Sequence, residues 1–593
     1  MAITTKTFGK NKYGPKLATY LTGEGYNRPR LLAPSLTRLH IADAVKSLAD
    51  PKKVTYQTFE TLMALEWSPA CDHIDLVLDD SEVDVFPLCI KLLRVLRSEK
   101  RTVLEHAYGF MCLQFLAMAV DIAKIAQVDR IDDFQEDVAK LPSDRSIRLL
   151  LNNYLRELEG EALFEHATPI PAQIVWLLGW YRDLETGERT CLPKIGGCGF
   201  LDVMFLLEQL WYDRKAFMHA AQAASSIFPG WGGLIYMMWN SAVQTHGFSD
   251  DPGYETSRAQ HKLHWGYMHE ISCRYAICCD EREDPLVLIM IDNQGFRNAL
   301  VSSGTYTSVD VEDSKRVTTT CAQKLNSVST INNMNHMAGG TVGYSSLMLR
   351  PTNFQVQFTE LYQAAIHHAW REVSAVHRMD YMRWFNFAAH FGGLIAFMRQ
   401  LCNDNRKRAT NLKAILEIAL GEDIFELLAY VLLFPISSLG IKIKTDQIIP
   451  KNELPENYIN LDFSEGFRKD RDLAKLPPDP TFFPLWFKVS RCIRFNKYVL
   501  GVTRQFRAGD LESFWYMMGE TWRLRGYLDQ SYAMCAYPRC PAPFNVGSVK
   551  CGGCFSKYYC GRRCQEADWV YLHEPHMLEC DGAKDMRSSD EAE

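Results

Sequence analysis

The sequence predicts a mainly α protein, with an irregular helical body, solenoid- or bundle-like, and a small metal-stapled module at the C-terminus. Three observations predict it. Apolar residues recur at helical spacing through much of the first 440 residues. Short helical segments follow one another with no fixed repeat period, so any solenoid is degenerate. Seven of the 18 cysteines fall within the last sixty residues at short spacings.

Residues 1–30 read as a loosely ordered lead-in, with no apolar signal-peptide core. The helical body is assigned to residues 31–440. Ser35 and Thr37 offer caps for a helix toward Ala49, which Pro51 closes. From Phe86 to Ser98, Leu88, Leu92, Val95 and Leu96 repeat at helical spacing. The clearest helix runs from Val103 to Ala126, where Leu104, Tyr108, Met111, Phe115, Met118, Ile122 and Ile125 stack on one face. Further helical blocks are expected at 144–158, 200–224, 359–376, 381–402, 411–433 and 510–528. Pro285–Asp292 is a buried strand or a short helix, and periodicity does not separate the two. Residues 301–345, rich in Ser, Thr, Asn and Gly, are expected as a polar, exposed insertion. A Pro-rich polar linker spans 441–484, a helical segment 485–530, the cysteine module 531–582 and an acidic tail 583–593.

A net charge of −6 gives no general attraction to nucleic acid. The apolar stretches Ala107–Val120 and Leu427–Leu439 fall short of the roughly 20 residues a membrane span needs, so no membrane association is expected. Scattered cysteines such as Cys89, Cys112 and Cys492 sit among apolar neighbours and read as small buried hydrophobes in a reducing compartment.

The cysteine module orders its residues as Cys535-x4-Cys540, Cys551-x2-Cys554, Cys560-x3-Cys564, then His and Cys580. Thiolates at this density read as zinc ligands, and eight ligands suffice for two closed tetrahedral sites. The Gly552-Gly553 turn bends the sulfurs of Cys551 and Cys554 inward. Cys560 and Cys564 suit the start of a helix continuing from Gln565 to Leu572.

The order Cys535, Cys540, Cys551, Cys554, Tyr559-Cys560, Cys564-Gln565, Trp569, His, Cys580 resembles the MYND-type zinc finger family over about 46 residues. The resemblance implies a small double-zinc finger with interleaved ligands. Cys535, Cys540, Cys560 and Cys564 would hold one zinc; Cys551, Cys554, a His and Cys580 would hold the other. His576 stands four before Cys580 and is favoured, while His573 fits the distance from Trp569. Two departures are the four-residue spacer of the first pair and the second histidine. Family members of this type usually dock short Pro-containing peptides, and the residues matching Gln565 and Trp569 line the groove. This implies an adaptor with a protein or Pro-rich peptide partner, in the cytoplasm or nucleus. The alternative is that Trp569 is the packing centre of the finger. Five basic residues against four acidic ones between Cys535 and Cys580 make no phosphate-binding stripe.

Weaker groups are read as structural. His261, His264, His269, Cys273, Cys278 and Cys279 are interleaved with Trp265, Tyr267, Met268, Ile271 and Tyr275, as in an aromatic core segment. His367-His368 reads as core or surface. No nucleophile elbow, phosphate loop, dinucleotide fingerprint or His-Glu-x-x-His is present, so no enzyme is expected. The alternative is an enzyme with an unrecognised catalytic domain, for example a divergent SET-type lysine methyltransferase. Asn335-His336 and Gly421-Glu422 resemble parts of its cofactor pocket, but Met337, Ala338 and Gly339 replace the Cys and Pro expected next.

Overall fold

The computed structural model describes residues 11–22, 27–67, 74–78, 85–127, 130–142, most of 146–155, 180–182, 189–191, 200–225, 230–246, 255–279, 308–327, 334–350, 354–375, 418, 422, 424, 427, 489–490, 535–537, 549–570 and 576–582. Helix accounts for 77% of them. The chain divides into two compact units, Met1–Arg350 and Pro351–Glu593.

The first unit begins with α1 (Leu17–Thr22), α2 (Arg28–Leu32), α3 (Arg38–Ser47), α4 (Tyr56–Met63), α5 (Asp75–Leu78) and α6 (Val85–Ser98). α7 (Ala107–Gln127) and α8 (Ile131–Ala139) follow. A hairpin pairs β1 (Trp180–Arg182) with β2 (Arg189–Cys191) in antiparallel register. Beyond it come α9 (Phe200–Tyr212), α10 (Arg214–Ser225), α11 (Gly232–His246), α12 (Glu255–Cys278), α13 (Val311–Ser327) and α14 (Met334–Leu347).

Two long helices organise this unit. α7 packs against α4, α6 and α11, and α12 packs against α9, α10, α11, α13 and α14. α11 touches both and links them. The end of α3 falls where Pro51 predicts. At its start the backbone N–H of Thr37 donates to His40 Nδ1, closing a capping box.

Several expectations are corrected. Residues 11–22 are not a loose lead-in: Leu17 and Tyr20 are buried, and the backbone of this segment bonds that of residues 105–108. The predicted helix at Val103 starts instead at Ala107, because the N–H of Leu104 donates to the Asp213 carboxylate at 2.8 Å. Asp213 also divides the expected block 200–224 into α9 and α10. α7 is buried all round rather than on one face, with Asp121 and Lys124 buried at its C-terminal end. Ended at Val120 on composition alone, its apolar stretch in fact spans 20 residues at mean hydropathy 1.6. That is long and apolar enough to cross a membrane, but 94% of the window is buried inside the protein.

The expected insertion at 301–345 is the largest correction, since α13 and α14 occupy most of it. Val317, Cys321 and Leu325 are buried at i, i+4 and i+8 on the face that meets α12. In α13 a hydroxyl is satisfied by its own helix: Thr318 Oγ1 donates to the Ser314 carbonyl at 3.0 Å. Asp313 is buried against Arg274 of α12, its two oxygens 2.8 and 2.9 Å from the guanidinium. A polar composition here marks a helix buried through ion pairs and hydroxyl back-bonds.

In the second unit α15 (Phe354–Ala375) carries His367, whose Nε2 lies 2.6 Å from Glu422, and the buried His368. The blocks 381–402 and 510–528, most of 411–433, Pro285–Asp292, the linker 441–484, most of 485–530 and the tail 583–593 lie outside the described residues.

Candidate metal centre

The finger is built on a small hairpin and a helix. β3 (Val549–Lys550) pairs with β4 (Tyr558–Tyr559), Val549 opposite Tyr559 and Lys550 opposite Tyr558. The connecting loop carries the Cys551–Cys554 turn, closed by Phe555 N–H donating to the Cys551 carbonyl at 3.1 Å. Phe555 adopts a left-handed conformation, φ 55°. Gly561 then opens α16 (Arg562–Trp569), a turn shorter than the expected run to Leu572. α17 (His576–Glu579) brings His576 and Cys580 back to the hairpin.

The fold gathers Cys551, Cys554, His576 and Cys580 into one cluster and Cys535, Cys560 and Cys564 into another, with ligand atoms within 4.8 Å of one another in each. The pairing is interleaved along the chain, as the resemblance implies. Cys540 and His573 lie outside the described residues. His576 supplies its Nε2 to the first cluster, 3.5 Å from Cys554 Sγ and 3.3 Å from Cys551 Sγ.

The spacing fits a tetrahedral ion. With Zn–S near 2.3 Å and Zn–N near 2.0 Å, tetrahedral edges are about 3.8 Å between sulfurs and about 3.5 Å from sulfur to nitrogen. Cys551 and Cys580 sulfurs stand 3.7 Å apart, and those of Cys560 and Cys564 stand 3.4 Å apart. These spacings suit a shared cation, and soft thiolates with imidazole suit zinc.

The protein prepares one ligand, Cys554, as a thiolate. Burial opposes ionisation of Cys554, but hydrogen bonds from the Ser556 hydroxyl at 3.0 Å and the N–H groups of Ser556 and Lys557 outweigh it and bring the thiol down to about 7. Tyr559, fully buried, donates to Asp568 Oδ2 at 2.8 Å and ties the hairpin to α16. The Trp569 ring meets the His576 ring edge-on, centroids 5.7 Å apart. Gln565 and Trp569 lie four apart on α16, both half-buried. Trp569 therefore supports a ligand, in keeping with the packing role that the sequence offers as its alternative to docking.

Residues 535–580 match the family model of the MYND finger. This segment is a MYND finger. The rest of the chain matches no family model. No curated protein and no solved structure matches the chain. The finger is a zinc-binding, protein-interaction module.

No metal cluster forms around the other histidine and cysteine group among the described residues. His264 Nε2 pairs with Glu208 at 3.0 Å, and His269 is buried, its pKa lowered to about 3 by desolvation. Cys273 is fully buried beside His269, and burial pushes its thiol up. Asn335 and His336 fall within α14.

Proposed function

We propose that this chain is an adaptor whose finger holds two zinc ions and docks a protein partner through an extended, Pro-containing segment laid along Gln565 and Trp569. The observation that carries the reading is the anchoring of α16 at both ends. Cys564 in its first turn belongs to one cluster, and Trp569 in its last turn packs on His576 of the other. Two ions so placed would fix the helix against the hairpin and present its Gln565/Trp569 edge as a rigid wall. A Pro-rich segment loses little entropy on docking to such a wall. The helical body supplies further partner surface, and the chain acts without catalysis of its own, in the cytoplasm or nucleus.

Fluorescence polarisation with a labelled Pro-rich peptide, against zinc-loaded and chelated protein, tests this. Binding is expected only with zinc present and is expected to fall when the prolines are replaced by alanine. Equal binding by the alanine peptide would overturn the Pro specificity. Binding of S-adenosylmethionine that is lost in His336→Ala would instead favour the enzymatic reading.

A further inference from the structure

The two clusters of the finger differ in exposure. Cys551, His576 and Cys580 are 2%, 1% and 0% exposed, and only Cys554 of that set is half-exposed. Gly553 and Gly582 pack backbone to backbone beside Cys580, and Cys551, Tyr559 and Cys580 form the apolar centre against which Trp569, Cys535 and Cys564 pack from their half-exposed positions. Cys535, Cys560 and Cys564 are all half-exposed. Outside the finger Cys89, Cys112, Cys273, Cys278, Cys279 and Cys321 are buried, and burial pushes the thiols of Cys112, Cys273 and Cys321 up, away from the reactive thiolate.

Oxidants reach sulfur through solvent, and they attack thiolates rather than thiols. A thiolate on zinc is held ionised. The Cys535/Cys560/Cys564 cluster therefore combines thiolate character with access. Its Cys560 and Cys564 sulfurs are 3.4 Å apart, closer than the 3.7 Å between Cys551 and Cys580. Cys560 lies ahead of Gly561, outside α16, and a Cβ on Gly561 would meet open space. Cys560 precedes the helix, so bringing its sulfur to Cys564 does not require α16 to unwind.

We propose that Cys560 and Cys564 are a peroxide-oxidisable pair, and that their oxidation releases one zinc and disengages α16. The gating of docking rests on the reading of Gln565 and Trp569 given above. In the step, the two thiolates give two electrons to hydrogen peroxide and an S–S bond forms. The O–O bond breaks, and with two protons from solvent the oxygens leave as two waters. Zinc departs as the divalent ion, its oxidation state unchanged, because too few ligands remain to hold it. The buried cluster keeps its metal, so the hairpin and α17 stay folded while α16 loses its N-terminal anchor.

The test titrates full-length, zinc-loaded chain with hydrogen peroxide. It reads zinc release with a chromogenic chelator, disulfides by peptide mass mapping, and binding of a labelled Pro-rich peptide. The first zinc is expected to leave about tenfold faster than the second. A Cys560–Cys564 disulfide should accompany it, peptide binding should fall with it, and reductant plus zinc should restore both. Simultaneous loss of both ions, or a first loss accompanied by oxidation of Cys551, Cys554 or Cys580, would overturn the proposal. Two-step release with the expected disulfide, but no peptide binding even by reduced protein, would overturn the docking reading and leave the oxidisable pair standing. Peptide binding unchanged by the first release would overturn the gating.

Discussion

Gly553 and Cys580 are packed so closely that a Cβ on Gly553 would lie 2.8 Å from the Cys580 sulfur. The neighbouring Gly552 has no heavy atom within 4 Å of its own Cβ position. One glycine of the Cys551–Cys554 turn is thus required by a ligand from the far end of the finger, and the other is not.

Gly553→Ala should therefore displace Cys580 and empty the buried cluster, lowering the zinc count from two to one. Gly552→Ala should keep both ions. Metal analysis of the two purified variants checks this, and equal zinc in both would show that the contact is slack.

Trp569→Ala should weaken both docking and metal retention, because the ring supports His576. Gln565→Ala should weaken docking alone. Chelator-competition rates beside peptide affinities separate the two effects. A Trp569→Ala variant with unaltered zinc release would reduce the ring to a docking residue.

The central bundle depends on a buried charge network. Arg274 is fully buried, pairs with Asp313 through two hydrogen bonds and lies 3.2 Å from Glu270. Burial opposes ionisation of Asp313, but the Arg274 guanidinium outweighs it and holds the carboxyl below its ordinary value. Arg274→Met would leave two buried carboxylates without this partner, at a cost of about 3–5 kcal/mol. Chemical denaturation followed by circular dichroism should show that loss, and a change under about 1 kcal/mol would mean the network is dispensable.

Glu60 makes stability depend on pH in the opposite sense. It is 1% exposed, and burial pushes its carboxyl up to about 7 against the pull of Arg28 and the Tyr20 hydroxyl. Raised above its ordinary 4.5, it binds its proton more tightly folded than unfolded. Its contribution is complete below about pH 4.5 and is lost as pH rises through 7. The thermal midpoint should fall across that window, and Glu60→Gln should flatten the fall. Parallel pH profiles for both proteins would assign the dependence elsewhere.

The helices read best where burial is apolar. Leu104 to Ile125 announced α7 because stacked hydrophobic residues leave a 3.6-residue period. Its true start did not show, since a carboxylate more than 100 residues away captures the Leu104 N–H. α13 was missed because Asp313, Thr318 and Ser314 are polar by composition and buried by pairing. The partner that makes Asp313 a core residue, Arg274, lies in another helix. The finger was legible because metal ligands must recur at short spacings. Trp569 on His576 and Gly553 on Cys580 were not, because both contacts depend on how α17 returns to the hairpin.

Native mass spectrometry of the reduced full-length chain tests the central claim most directly. Two interleaved zinc centres predict a mass increase of two zinc ions. His576→Ala should lower it to one, and His573→Ala should leave it at two. An unmodified chain that carries no zinc after purification without chelators and in the presence of reductant would contradict the account.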